Sequence, residues 1–224
     1  TVDRLFVLDG CQDGPVKTIL REAKKQDTMV QYVKKERLDQ LSETKNHQGV
    51  IAYCAACEYA EVSDILENAK KKGEAPFIVL LDGIEDPHNL GAIIRTANQA
   101  GAHGVIIPKR RAVGLTATVA RTSAGAVNYT PVAKVTNLVT VMEDLKKEGM
   151  WFVCADMDGE EMYSLNLKGP IGLVIGNEGE GVSRLVKEHC DMVASIPMKG
   201  DIDSLNASVA MGVLAYEIVR QRRF

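Results

Sequence analysis

The chain has no apolar run long enough to cross a bilayer. Its longest, such as Phe77 to Leu81 and Ile171 to Ile175, fall far short of the ~20 residues a spanning helix needs. Cysteines are few and odd in number: Cys11, Cys54, Cys57, Cys154 and Cys190. Their one close pair, in "CAAC", has no second pair and no histidine pair at zinc-ligand spacing. The pattern therefore reads as buried, reduced thiols in a cytoplasmic protein with no metal site, a redox or metal pair at Cys54 and Cys57 being the alternative. No basic-then-apolar segment opens the chain, which begins at Thr1. Nor is there an excess of positive charge. The net charge is −3, so any affinity for nucleic acid has to come from a local basic surface. Internal repeats and low-complexity segments are also missing.

What is present is the composition of a globular protein, 46% hydrophobic and 25% charged, long enough for one large domain or two smaller ones. The first stretch alternates short elements: "RLFVLDG" as a strand, "PVKTILREAKKQ" as a helix, "TMVQYV" as a strand, "KKERLDQLSE" as a helix and "GVIAYCAA" as a strand. This predicts a small α/β domain over residues 1–57. Residues 58–75 read as a linker carrying a charged helix, "EVSDILENAKKKGEAP", stopped by Gly73 with Pro76 beyond. From residue 76 to 224 the pattern becomes strongly βα, beginning with "FIVLLD", a continuous apolar strand of the kind buried on both faces of a parallel sheet. Helix "NLGAIIRTANQA", strand "GVIIP", helix "NLVTVMEDLKKEG", strands "WFVCAD" and "IGLVIG", helix "GVSRLVKEHC", strand "VASIPM" and a final helix follow. The expectation is a parallel sheet covered by helices.

Four segments carry candidate chemistry. "LDGIEDPHNLGAIIRTANQAG" puts Asp82 and a Pro-His-Asn loop at the carboxyl end of a strand, where open α/β sheets bind ligands. Asn89 is also an ordinary helix N-cap, Arg95 an ordinary solvated arginine and His88 an ordinary loop residue. "LVIGNEGEGVSRL" is a strand, a glycine-rich turn and a helix. Its glycines run G-x-x-G-x-G rather than in the dinucleotide order, although Asp201 lies near the ribose-binding spacing. Glu178 and Glu180 would repel a pyrophosphate at the helix start. A ligand without phosphate, preferably cationic, suits this turn better. "GDIDSLNASVA" places Ser204, Asn206 and Ser208 among small residues before the last helix. Ser204 reads as the N-cap, and Ala207, Ser208, Gly212 and Ala215 as a slim face for tight helix packing or a subunit interface. In "PKRRAVGLTATVARTSAGA", Lys109, Arg110, Arg111 and Arg121 form either a solvated loop or a phosphate-binding patch.

Taken together and in order, "DPHNLGAIIRTANQAG", "LVIGNEGEGVSRL" and "IPMKGDIDSLNASVA" resemble the three signature motifs of the SpoU (TrmH-like) branch of the SPOUT RNA methyltransferases, over the segment from residue 76 to the C-terminus. The leading unit, closed by "NHQGVIA", resembles the L30-like (L30e-like) substrate-binding domain of the ribosomal RNA guanosine 2′-O-methyltransferases of this branch, with that domain's first strand and helix missing here. The resemblance implies a SPOUT catalytic domain with a trefoil knot, S-adenosyl-L-methionine as cofactor and a homodimer formed through the last helix. It carries cofactor contacts to Gly176, Ile196, Met198 and Leu205. It makes Arg95 the catalytic arginine, with Asn89, Glu178, Ser204 and Asn206 supporting it. Lys109, Arg110, Arg111 and Arg121 become RNA-binding candidates.

The implied reaction is methyl transfer to a ribose 2′-hydroxyl, most closely a guanosine of large-subunit ribosomal RNA. Such a hydroxyl must lose its proton as it attacks, and in-line positioning supplies much of the acceleration. Arginine side chains hold their proton tightly. Arg95 is therefore either an unusual base, or a cation that steadies the developing alkoxide or the adjoining phosphate. Transfer-RNA methylation, a non-catalytic RNA-binding role and a dinucleotide oxidoreductase are the competing readings. The glycine order and the glutamates argue against the last.

Overall fold

The computed structural model describes residues 2–224, apart from 12, 13, 43, 178 and 203. The chain divides into two compact units, Thr1–Glu58 and Tyr59–Phe224.

In the first unit, β1 (Val2–Leu8) pairs in parallel with β2 (Met29–Val33) and antiparallel with β3 (Val50–Cys54), giving the order β2-β1-β3. Helix α1 (Gly14–Lys25) buries Val16 and Ala23 against Leu5 and Val7, and leaves its many charged residues in water. Helix α2 (Lys35–Leu41) inserts Leu38, which is fully buried. All five elements lie where the apolar spacing places them.

The second unit begins with α3 (Val62–Lys72), the helix read as part of a linker. Its Ile65 and Ala69 are fully buried, and Ile65 lies so close over Gly104 that no side chain fits at that glycine. The helix stops as its sequence indicates, at Gly73 in the left-handed region (φ 65°). Six parallel strands follow in the order β6-β5-β4-β8-β7-β9: β4 (Phe77–Asp82), β5 (Gly104–Pro108), β6 (Val132–Val135), β7 (Trp151–Glu161), β8 (Ile171–Gly176) and β9 (Met192–Ser195). Every residue of the central pair, β4 and β8, is buried, as continuous apolar runs predict.

Helices α4 (Pro87–Gln99), α5 (Ala117–Thr122), α6 (Leu138–Lys147), α7 (Arg184–Glu188) and α8 (Ala207–Arg223) cover the sheet. The sequence reading does not name α5, the 3-10 turn at Ala126–Asn128 or β6. Each is six residues or fewer and lies in or beside a Gly/Ser/Thr-rich stretch without periodicity. Helix α7 is shorter than "GVSRLVKEHC", since Gly181 and Val182 belong to the preceding turn.

Two helix starts differ from the expectation. Asp86, not Asn89, caps α4, its carboxylate accepting from the His88 N–H at 3.0 Å with Pro87 in the first turn. Asn206, not Ser204, caps α8, accepting from the N–H groups of Ser208 and Val209 at 2.9 and 3.3 Å. The small residues of α8 serve packing within the chain. Ala207 and Ala215 are buried, and Gly212 faces Thr96 of α4.

Candidate active site

The carboxyl ends of β7, β8 and β9, with the chain entering α8, surround a cleft of about 660 Å³. Gly176, Ile196, Met198 and Leu205, the four residues carried over as cofactor contacts, all line it, as does Ser204. Much of the wall is apolar, with Ile175, Ala194, Pro197 and Ala207 alongside. The charged side chains among its described lining residues are Asp156, Glu161 and Glu180, with no lysine or arginine. A pyrophosphate would be repelled there. A ligand with a flat apolar ring system and a positive centre would be matched on both counts.

The turn between β8 and α7 is held at several points. A Cβ on Gly176 would collide with the backbone of Gly181 and Val182, so only glycine lets the turn fold back over the strand end. The Asn177 carbonyl oxygen accepts from Gly181 N–H at 3.0 Å. Its side-chain Oδ1 accepts from the N–H groups of Gly179 and Glu180 at 2.9 and 2.7 Å. From below, the buried Asp82 at the end of β4 accepts the Ser183 N–H at 2.8 Å, across a sequence separation of 101 residues. Each of these bonds answers a backbone donor that a tight turn would otherwise leave unpaired. At the opposite wall, the Lys187 ammonium meets Asp156 at 2.7 Å. Burial opposes ionisation of that carboxyl, but the ammonium and the Asp158 N–H outweigh it and hold its pKa below the usual carboxylate value.

Asn89 and Asn206 meet, with the Asn206 amide N–H donating to Asn89 Oδ1 at 3.0 Å. One side chain thus caps α8 and ties it to the first turn of α4. A smaller cleft of about 240 Å³ lies beside the larger one, lined by Gly83, Ile84, Glu85, Asp86, Asn89, Asn177 and Gly179. It shares Asn177 and Gly179 with its neighbour.

Other expected residues stand apart from both clefts. Arg95 is exposed on α4, and Arg110, Arg111 and Arg121 are exposed on and around the segment between β5 and α5, with Lys109 half-buried. None of the five lines either cleft. Glu178 lies outside the described residues. Sequence reasoning misses Asn177, Asp156 and Glu161 as site residues, and it does not foresee the anchoring role of Asp82. The Asn-x-Gly order in "GNEG" is a turn signature that points to Asn177. No sequence signal links Asp82 to a backbone group 101 residues away.

A scan against family models matches residues 76–216 to the SpoU rRNA methylase family and residues 1–60 to the RNA 2′-O ribose methyltransferase substrate-binding domain. The chain is 50% identical over 221 residues to YacO of Bacillus subtilis, assigned to the TrmH family of tRNA/rRNA methyltransferases, covering 98% of this chain and 88% of that one. Among solved structures it resembles the SpoU methyltransferase AviRb of Streptomyces viridochromogenes in complex with AdoMet. The TM-score is 0.66 at 27% identity, covering 99% of this chain and 83% of that one. The A. aeolicus TrmH/SpoU tRNA modifying enzyme matches with a TM-score of 0.61 at 28% identity, over 71% of this chain and 84% of that one. With both family models matched, a relative at half identity along nearly the whole chain, and a cleft whose chemistry suits a phosphate-free cationic cofactor, the chain belongs to the SpoU (TrmH) family of S-adenosylmethionine-dependent RNA methyltransferases.

Proposed function

We propose that this chain methylates the 2′-hydroxyl of a guanosine in large-subunit ribosomal RNA and works as a homodimer. The observation that carries the reading of the site is the larger cleft, whose described lining offers apolar walls and carboxylates without a basic residue. Bound there, S-adenosylmethionine supplies an electrophilic methyl group on a cationic sulfur. Ile196, Met198 and Leu205 would hold its adenine ring, and Gly176, where only glycine lets the turn close over the strand end, brings backbone to the cleft wall. The Asp156, Glu161 and Glu180 carboxylates favour its positive charge.

On the substrate side, Asn89 and Asn206 hold one another and orient the sugar, and Ser204 offers a hydroxyl at the cleft wall. Glu178 belongs to the same set by its place in the second motif. Arg95, exposed to incoming RNA, serves as a cation that steadies the developing alkoxide or grips the adjoining phosphate. Lys109, Arg110, Arg111 and Arg121 supply phosphate contacts that fix register rather than sequence. The unit at residues 1–58 matches an RNA 2′-O ribose methyltransferase substrate-binding model, and its resemblance to the leading domain of the ribosomal RNA guanosine 2′-O-methyltransferases favours the ribosomal choice. The half-exposed Val209 and Tyr216 on α8 are the apolar surface offered to a second copy.

The test is transfer of labelled methyl from S-adenosylmethionine to unmodified ribosomal RNA, digested to nucleosides, with Arg95→Ala alongside. Label in 2′-O-methylguanosine that the variant loses supports the proposal. Label in a base overturns the site. Label only with transfer RNA overturns the substrate while keeping the reaction.

A further inference from the structure

We propose that the smaller cleft seats the target nucleobase and that Glu85 reads guanine there, an inference that rests on the methyl-transfer reading above. The cleft lies at the carboxyl ends of β4 and β8, and through Asn177 and Gly179 it adjoins the cofactor cleft. Its wall carries two carboxylates and two amides, with no lysine or arginine among the described lining residues. A phosphate would be repelled from such a wall. A neutral base edge rich in N–H donors would be accepted.

The side chains of that wall differ in what they have left to offer. The Asp86 carboxylate is already bonded to the His88 N–H, Asn177 Oδ1 takes two backbone N–H groups, and Asn89 Oδ1 takes the Asn206 amide. Glu85 is exposed and makes no hydrogen bond or ion pair among the described residues. Its two oxygens are therefore available side by side. A carboxylate in that state pairs with two adjacent donors. Guanine is the base whose Watson–Crick edge presents them, as N1–H beside the N2 amino group. Adenine turns its N1 lone pair toward the same carboxylate and is repelled, and uracil offers a single N–H between two carbonyls.

The sheet order supports the same arrangement. The cations Lys109, Arg110 and Arg111 follow β5, the small cleft lies between β4 and β8, and the cofactor cleft spans β8, β7 and β9. The base-binding cleft thus adjoins the methyl-donating cleft directly, through Asn177 and Gly179. Asn89 borders the small cleft and holds Asn206, the neighbour of Leu205 and Ala207 in the cofactor-cleft wall, so the pair stands where a sugar between base and methyl donor would lie.

The experiment compares wild type with Glu85→Gln on large-subunit ribosomal RNA, after mapping the methylated position and replacing that guanosine by inosine, which lacks the N2 amino group. Affinity for S-adenosylhomocysteine, measured by calorimetry, reports whether the neighbouring cleft is intact. The expected result is a loss of about tenfold or more in kcat/KM on inosine for wild type. Glu85→Gln should methylate guanosine and inosine equally, at a reduced rate, with cofactor affinity unchanged. The same preference for guanosine in both proteins would overturn the role of Glu85. Label in a nucleoside other than guanosine would overturn this subsite while leaving the methyltransferase reading intact. No 2′-O-methyl label in any RNA would withdraw both.

Discussion

Strand β4 has a buried polar cluster at each end, and the two clusters are put to different use. At the carboxyl end, Asp82 reaches up to the Ser183 N–H and fixes a turn that faces open clefts on both sides. At the amino end, the fully buried His103 accepts the Phe77 N–H on Nδ1 at 3.0 Å, while its Nε2 faces Glu74 at 3.1 Å. Close by, Arg222, near the end of α8, donates to the carbonyls of Ala75, Pro76 and Gly169 and lies over the Phe77 ring. Both ends satisfy backbone groups that the end of a buried strand leaves over. The carboxyl end stops at a backbone frame and leaves room above it. The amino end is packed shut by α8. The same strand therefore separates a surface for chemistry from a fastening for the fold, and the two can be perturbed independently.

The largest effect is expected at Gly176. Gly176→Ala drives a methyl group into the Gly181–Val182 backbone, so the turn must move. S-adenosylhomocysteine affinity should fall at least about a hundredfold by calorimetry, with a stability loss of about 2 kcal/mol or more in urea. A variant that binds normally would show that the close approach is dispensable.

The complementary variant is Arg222→Met at the other end. Removing the guanidinium takes the donor from the Ala75 and Gly169 carbonyls, while the Pro76 carbonyl keeps the Ile171 N–H, for an expected loss of about 2–3 kcal/mol in urea unfolding. The cofactor affinity of the fraction that remains folded should not change. A drop in affinity would break the separation drawn between the two ends.

Asn206→Asp divides two roles of one residue. Aspartate keeps the cap of α8, worth about 1 kcal/mol, and loses the amide that donates to Asn89. Stability should hold within about 0.5 kcal/mol while kcat falls about tenfold or more. Asn206→Ala should lose both. Equal kcat for wild type and the Asn206→Asp variant would reduce the bridge to a structural detail.

The smallest effect is the pH dependence contributed by His103. Burial, only partly opposed by Glu74, lowers its pKa below the ordinary histidine value. Above pH ~6.5 the ring is neutral in both folded and unfolded chains. As pH falls through that value the unfolded chain takes up a proton that the folded ring resists, so stability is lost by at most about 1.4 kcal/mol per pH unit. Denaturant midpoints of wild type and His103→Gln between pH 7.5 and 5.5 measure this. The variant should show a flatter profile, and parallel profiles would remove His103 as the source.

Much of the fold was legible in the sequence because it rests on local rules. The continuous apolar runs at 77–82 and 171–176 are the two fully buried strands, and Gly73 ends its helix as a left-handed cap. The short α5 and β6 were not legible, since six residues or fewer carry too little periodicity to read. Ser204 and Asn206 show the limit at the site. Both are good capping types two residues apart, and spacing alone does not choose between them. The choice falls to Asn206 because Asn89, on α4, takes its amide hydrogen.

The sequence by itself therefore determined the parallel sheet, the three motif loops and the phosphate-free, cation-favouring character of the turn after β8. These follow from apolar runs, glycine order and charge, which need no distant partner. Only the tertiary structure decided which residues share a wall. It brought Asp82 to Ser183 and Asn89 to Asn206, put Glu85 and Asn177 in one cleft, and left Arg95 outside both. The physical reason is that these pairings depend on strand order β5-β4-β8-β7-β9, set by packing of the buried faces, which brings residues about a hundred positions apart into hydrogen-bonding distance.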